Sequence, residues 1–198
     1  MSGTVVGFYG KLPVRGDFVR DGLPRDFTDV WDDWLQRVMA GSRALLGDAW
    51  LPAYLEAPVW RFSLPAGICG ECAALGLMLP SVDKAGRYFP LTFAALRAEP
   101  IPIDVGEAWL DRCEAAGRAA LEQDCSPQEI AAMLGTLEPA NDAAGSSECI
   151  WWTEGSVRME PARLRLNALP DAATYAAMIG VSECRNAEVG ETRWESMP

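Results

Sequence analysis

Two stretches near the middle of the chain, residues 73–79 (AALGLML) and 88–96 (YFPLTFAAL), are apolar almost without interruption, and only residues 80–87 separate them. Apolar runs this short, bounded by Pro and Gly, suit strands in the interior of a sheet. Within the second run Phe89, Leu91 and Phe93 share one face. Residues 4–9 (TVVGFY) read as a further short buried strand, and residues 59–64 alternate, with Trp60, Phe62 and Leu64 on one side and Arg61 and Ser63 on the other. Residues 149–153 (CIWWT) and 163–167 (RLRLN) complete the strand set.

Helical spacing occupies the intervals. From Asp26 to Leu46 the apolar positions Phe27, Val30, Trp31, Trp34, Leu35, Val38 and Met39 form a stripe, with Gly47 as the stop. A short helix around Trp50, Leu51, Tyr54 and Leu55 follows. Asp104 with Glu107 has capping-box spacing ahead of the stripe Val105, Trp109, Cys113, Ala116 and Ala120. Ser126-Pro127-Gln128-Glu129 opens the next helix in the same manner. Residues 139–147 read as a loop, and residues 171–179 as a last short helix. Strands in clusters with helices between them point to an α+β domain built on a central, mostly antiparallel sheet of about five to six strands packed with helices. The expected organisation is one domain over residues 1–181 and a mobile tail over 182–198.

Composition removes whole classes of chemistry. The chain contains no histidine, so Ser-His-Asp and Cys-His nucleophile systems, His-containing zinc sites and histidine acid–base catalysis are closed to it. The net charge is −11, from 28 acidic and 17 basic residues, and there is no run of Lys and Arg. Nucleic acid and anionic membrane are therefore poor partners, and the acidic balance fits solubility or docking to a basic surface. Six cysteines are too few for a small disulfide scaffold. With no signal-peptide pattern and no long apolar span, the expected location is the cytoplasm.

The motifs with chemical content are few. Gly10-Lys11 departs twice from a phosphate-loop pattern, with Val5 where the first Gly belongs and Leu12 where Ser or Thr belongs. Cys69 and Cys72 have metal or redox spacing, but no second pair accompanies them, and Cys113, Cys125, Cys149 and Cys184 are scattered. No cofactor is expected. Two Gly/Pro-punctuated loops are denser in chemistry. Residues 10–18 carry Lys11, Arg15 and Asp17, and residues 80–90 carry Ser81, Asp83, Lys84 and Arg87. Two readings stand together: the aspartates pair with arginines to pin the loops, or the loops meet and form a recognition surface. A Ser81 nucleophile has only Lys84 or a carboxylate to serve as its base, and Asp17 and Asp83 would share a site or a metal ion only at a separation that the sequence does not fix, so the chain is read as a non-enzyme. Most tryptophans fall on faces expected to be buried; Trp152, alternating with Trp151, is expected to face outward.

The segments GFYGKLPVRGDFVRDGLP, WDDWLQ, APVWRFSL, PSVDKAGRYFPLT and ECIWWTEG occur in this order over roughly residues 5–170. Together they resemble the TagF/ImpM family of type VI secretion proteins from Gram-negative bacteria. The resemblance implies a compact domain with a central antiparallel sheet and a post-translational regulator that holds the secretion machine inactive. The implied partner is the cytoplasmic forkhead-associated-domain scaffold protein of the apparatus. Some relatives carry a fused serine/threonine phosphatase domain, but no D-G-x-G-G type metal motif occurs here. The family brings no catalytic residues with it. On this reading Lys11, Arg15, Asp17, Ser81, Asp83, Arg87 and Trp152 are the candidate protein-binding residues, with an acidic surface and aromatic anchors engaging the scaffold. The alternative is a small-ligand or nucleotide-sensing module using loops 10–18 and 80–90 as a pocket.

Overall fold

The two apolar runs pair with each other. Strands β4 (Ala73–Leu79) and β5 (Leu91–Arg97) align antiparallel from Ala73 opposite Arg97 to Leu79 opposite Leu91, and every residue of both is buried. The computed structural model describes residues 3–137, 146–180 and 193–196. Around the central pair lie β1 (Val5–Gly10), β2 (Val19–Asp21), β3 (Trp60–Leu64), β6 (Cys149–Thr153), β7 (Ala162–Leu166) and β8 (Arg193–Ser196). They form a single sheet of eight strands in the order β2-β1-β5-β4-β3-β6-β7-β8, antiparallel at each junction.

Helices cover both faces. On one side α1 (Arg25–Leu46), α2 (Trp50–Leu55) and α5 (Ala172–Met178) close over a core containing Trp31, Trp34, Phe62, Trp151 and Tyr175. On the other, α3 (Ile103–Glu122) and α4 (Pro127–Leu134) close over Leu75, Leu77, Phe93, Trp109 and Ile130. A strand between two helical layers has no solvent face, which is why β4 and β5 are apolar without alternation. Burying so many indoles requires partners for their N–H groups. Trp31 donates to Thr92 Oγ1 at 2.9 Å, Trp34 to the Pro170 carbonyl at 2.7 Å and Trp60 to the Met178 carbonyl at 2.8 Å. The first ties α1 to β5, the second ties α1 to the segment that leads into α5, and the third ties β3 to α5.

Several expectations are corrected. The sheet has eight strands rather than about five to six, because β2 and β8 are short edge strands without an apolar alternation to reveal them. β5 begins at Leu91, since Tyr88, Phe89 and Pro90 still belong to the preceding loop. Val30 lies on the rim of the α1 stripe and is 39% exposed. Helix α3 starts at Ile103 behind Pro102 without a side-chain cap, which puts Asp104 inside the first turn. The capping box of α4 does form: Glu129 N–H donates to Ser126 Oγ at 3.2 Å, and Ser126 N–H to Glu129 Oε2 at 2.7 Å. Of the loop expected at 139–147, residues 139–145 lie outside the described residues, as does Cys184. Of the expected tail, 182–192 and 197–198 also lie outside them, while Arg193–Ser196 forms the edge strand β8 against β7.

Trp152 is the clearest reversal. It is only 2% exposed and packs in the cluster that holds Trp109, Leu110 and Cys113, whereas Trp151 packs in the opposite one. Alternation along β6 does separate the two indoles onto different faces, but both faces are covered.

Candidate functional site

The two Gly/Pro loops meet because of strand order. β1 runs antiparallel to β5, with Tyr9 opposite Thr92, so the chain leaving β1 emerges beside the loop that leads into β5. At the junction Gly10 has φ +150°, and a Cβ placed there would lie 2.3 Å from the Pro90 carbonyl oxygen and 2.7 Å from Leu91 Cα. Only glycine lets the two backbones approach this closely.

Asp83 is the centre of the cluster. Its side chain is fully buried, and its Oδ2 lies 2.7 Å from Lys11 Nζ and 2.7 Å from Arg87 Nε. Its Oδ1 accepts from the Ala85 and Arg87 amides, each at 2.9 Å. Burial works to raise the Asp83 carboxyl, but hydrogen bonds from Lys11 and from the Arg87 amide and guanidinium outweigh it and hold the group well below the ordinary carboxylate range. The side chain of Lys11 is only 7% exposed, so the pair is charge-matched in a site from which water is largely excluded.

Further bonds make one body of the two loops. Lys84 N–H donates to the Arg15 carbonyl at 2.9 Å, and the Arg87 guanidinium donates to the Gly16 carbonyl. Ser81 Oγ donates to the Lys11 carbonyl at 2.6 Å. Below, Tyr54 O–H donates to the Ser81 carbonyl at 2.9 Å and accepts from the Ser81 amide at 3.1 Å, which anchors the second loop to α2.

An aromatic group stands beside this polar knot. The Phe18 ring stacks on Tyr9 at 5.3 Å and meets Phe89 edge-on at 4.8 Å, with Lys11 Nζ 4.9 Å from its centroid. Phe18 is nonetheless 43% exposed. Tyr9 in turn donates to Asp32 Oδ1 of α1 at 2.7 Å. Burial and the neighbouring Asp32 carboxylate push the Tyr9 phenol up, so it stays a neutral donor.

The seven sequence candidates therefore divide. Lys11, Ser81 and Asp83 are interior, and Arg87 joins them through its guanidinium while remaining mostly exposed. Arg15 and Asp17 are exposed at the rim. Trp152, in a core cluster, is not at this surface. Phe18 and Lys84 were not among the candidates. The signal for Phe18 was an isolated aromatic at the end of a turn-rich loop, where no periodic face accounts for it.

Elsewhere among the described residues the cysteines are inert. Desolvation pushes the Cys69 thiol up to about 12, and the nearby Cys149 acts in the same direction; a thiol held in this way is protonated at neutral pH and a poor metal ligand. Among the described residues no group of three or more His, Cys, Asp or Glu is placed to hold a metal ion. No helix among them is long and apolar enough to cross a membrane.

The TagF N-terminal domain, described as type VI secretion system-associated, matches residues 7–144, a span that contains both loops. The chain is also similar to the crystal structure of PA0076 from Pseudomonas aeruginosa PAO1, with 31% identity and a TM-score of 0.78 over 98% of this chain and 100% of that one. No curated protein matches the sequence.

Proposed function

The chain belongs to the TagF family of type VI secretion system-associated proteins, and we propose that it is a non-catalytic cytoplasmic regulator that represses the secretion apparatus after translation. It does so by binding a forkhead-associated-domain scaffold protein and withholding it from assembly. Family membership carries the pathway. The docking part rests on one observation: the two loops are locked together by buried bonds, while Arg15, Asp17, Phe18 and Lys84 stay exposed on their rim. A surface that is already ordered loses little freedom on binding.

The same geometry supports a role without catalysis. The Ser81 hydroxyl is buried and donates to a carbonyl, and Asp83, between two cations, is too weak a base to activate it. The ligand-sensing alternative gains no observation in its favour, since Lys11, Ser81 and Asp83, the groups such a pocket would use, are bonded to one another or to the backbone.

Co-purification with the forkhead-associated scaffold protein of the same host, at low and high salt, tests the reading. Stable recovery that weakens with salt supports it. Absence of recovery at both salts removes direct sequestration.

A further inference from the structure

We infer that the rim around Phe18 is a docking face for an acidic polypeptide segment, one that carries several carboxylates around an apolar side chain. The inference rests on the reading of the loop cluster as a docking surface and names the chemistry of the partner there. It also inverts the expectation drawn from composition, in which an acidic face meets a basic partner.

Local charge runs against the charge of the whole. In a chain of net charge −11, the exposed charged residues of the two loops and of the adjoining β2 are Arg15, Arg20, Lys84 and Arg87 on one side and Asp17 and Asp21 on the other. Arg20 is close enough to Tyr9 for its charge to act on that phenol. The other acidic groups near Tyr9, Asp29 and Asp32, belong to α1, and Asp32 is engaged by the Tyr9 hydroxyl and by Gln36. Arg15 and Lys84 come from different loops yet are held together by the 2.9 Å bond between the Lys84 amide and the Arg15 carbonyl. Neither side chain forms an ion pair among the described residues.

The apolar component is equally specific. Phe18 is exposed but not loose, because Tyr9 backs one face and Phe89 meets it edge-on. A fixed aromatic on loops that also carry the exposed cations Arg15, Arg20, Lys84 and Arg87 offers an apolar anchor with charge to either side of it in the chain. Carboxylates suit the guanidinium of Arg15 in a bidentate geometry, and an apolar side chain between them covers the open part of the Phe18 ring. Complementary charge also steers encounter with an acidic segment while the rest of this acidic molecule repels it, so productive contact is confined to the rim.

The test titrates the 15N-labelled chain with acetyl-Glu-Glu-Leu-Glu-Glu-amide and, separately, with its lysine counterpart. Expected are amide shifts concentrated at residues 15–20 and 84–87 with the acidic peptide only, and at least a tenfold weaker response in the Arg15→Glu/Lys84→Glu double variant. No shifts at these residues, shifts equal for both peptides, or an undiminished response in the double variant overturns the inference. The scaffold protein is titrated in parallel to keep the two readings apart. If it fails to bind while the acidic peptide maps to the rim, the proposed partner falls and the surface stands. If it binds the double variant as tightly as the native chain, the surface falls and the regulatory reading stands.

Discussion

Lys11 and Asp83 lie 72 residues apart in sequence, and their charged atoms stand 2.7 Å apart in a site where the two side chains are 7% and 0% exposed. Removing the carboxylate leaves an ammonium largely cut off from water without its counter-charge, which is far more damaging than losing an exposed pair. Asp83→Asn is expected to lower the melting temperature by roughly ten degrees or more. Lys11→Met should lower it less, because Asp83 keeps Arg87 and the two amides. Differential scanning calorimetry of the two variants checks the order; equal effects would mean that Asp83 acts only through Lys11.

The same carboxylate sets an acid limit. Its folded-state titration is depressed below that of the unfolded chain, so the stability it contributes is fully present above the ordinary aspartate value of about 4 and is lost as pH falls below it toward the folded value. Urea midpoints between pH 7 and pH 3 should therefore decline below about pH 4 in the native chain, with a shallower decline in Asp83→Asn. Parallel curves for the two proteins would assign the acid sensitivity to other carboxylates.

Gly10 carries the approach of β1 to the second loop. A methyl group at this position meets backbone atoms at 2.3 and 2.7 Å, and backbone cannot rotate out of the way as a side chain can. Gly10→Ala should destabilise by about 2–4 kcal/mol, from overpacking together with the unfavourable φ. By contrast Gly86, with φ +79° but nothing within 4 Å of an added Cβ, should lose only about 1 kcal/mol on Gly86→Ala. Equilibrium urea unfolding of both variants separates steric contact from backbone strain.

How far the sequence could be read follows from where each signal came from. The β4 and β5 runs, the α1 stripe and the α4 capping box are local patterns, and each forms close to its expected position. The two edge strands are held by backbone pairing with a neighbour distant in sequence or by a very short register, and no periodicity within three or four residues reports that. Lys11, Asp83 and Arg87 were visible as residue types in turn-rich loops, but their meeting depends on β1 lying beside β5. Strand order is a property of the whole sheet, and it is not written in either loop.

Trp152 shows the opposite failure, in which a correct local pattern led to the wrong surface. A β6 strand with one wet face would expose it, but the α3 side of the sheet is covered there. Trp152→Ala should therefore cost about 3–5 kcal/mol in urea unfolding, and any loss of partner binding should track the loss of fold. A variant that kept native stability and lost only binding would return Trp152 to an interface.

Arg15 and Arg87 give the sharpest separation of surface from scaffold. The Arg15 side chain makes no hydrogen bond or ion pair among the described residues, whereas Arg87 donates to buried Asp83 and to the Gly16 carbonyl. Reversing charge at Arg15 removes a rim cation and nothing else, so Arg15→Glu should melt within about a degree of the native chain. Arg87→Glu places a carboxylate beside Asp83 and breaks two charge-assisted bonds, for a loss of roughly 2 kcal/mol. In a reporter strain for type VI secretion, both variants should release repression if the rim docks the scaffold protein. Only Arg87→Glu should also lower the melting temperature and the steady-state level of the protein. Release by Arg87→Glu alone would trace the phenotype to instability, and full repression by Arg15→Glu would take the rim out of the regulatory contact.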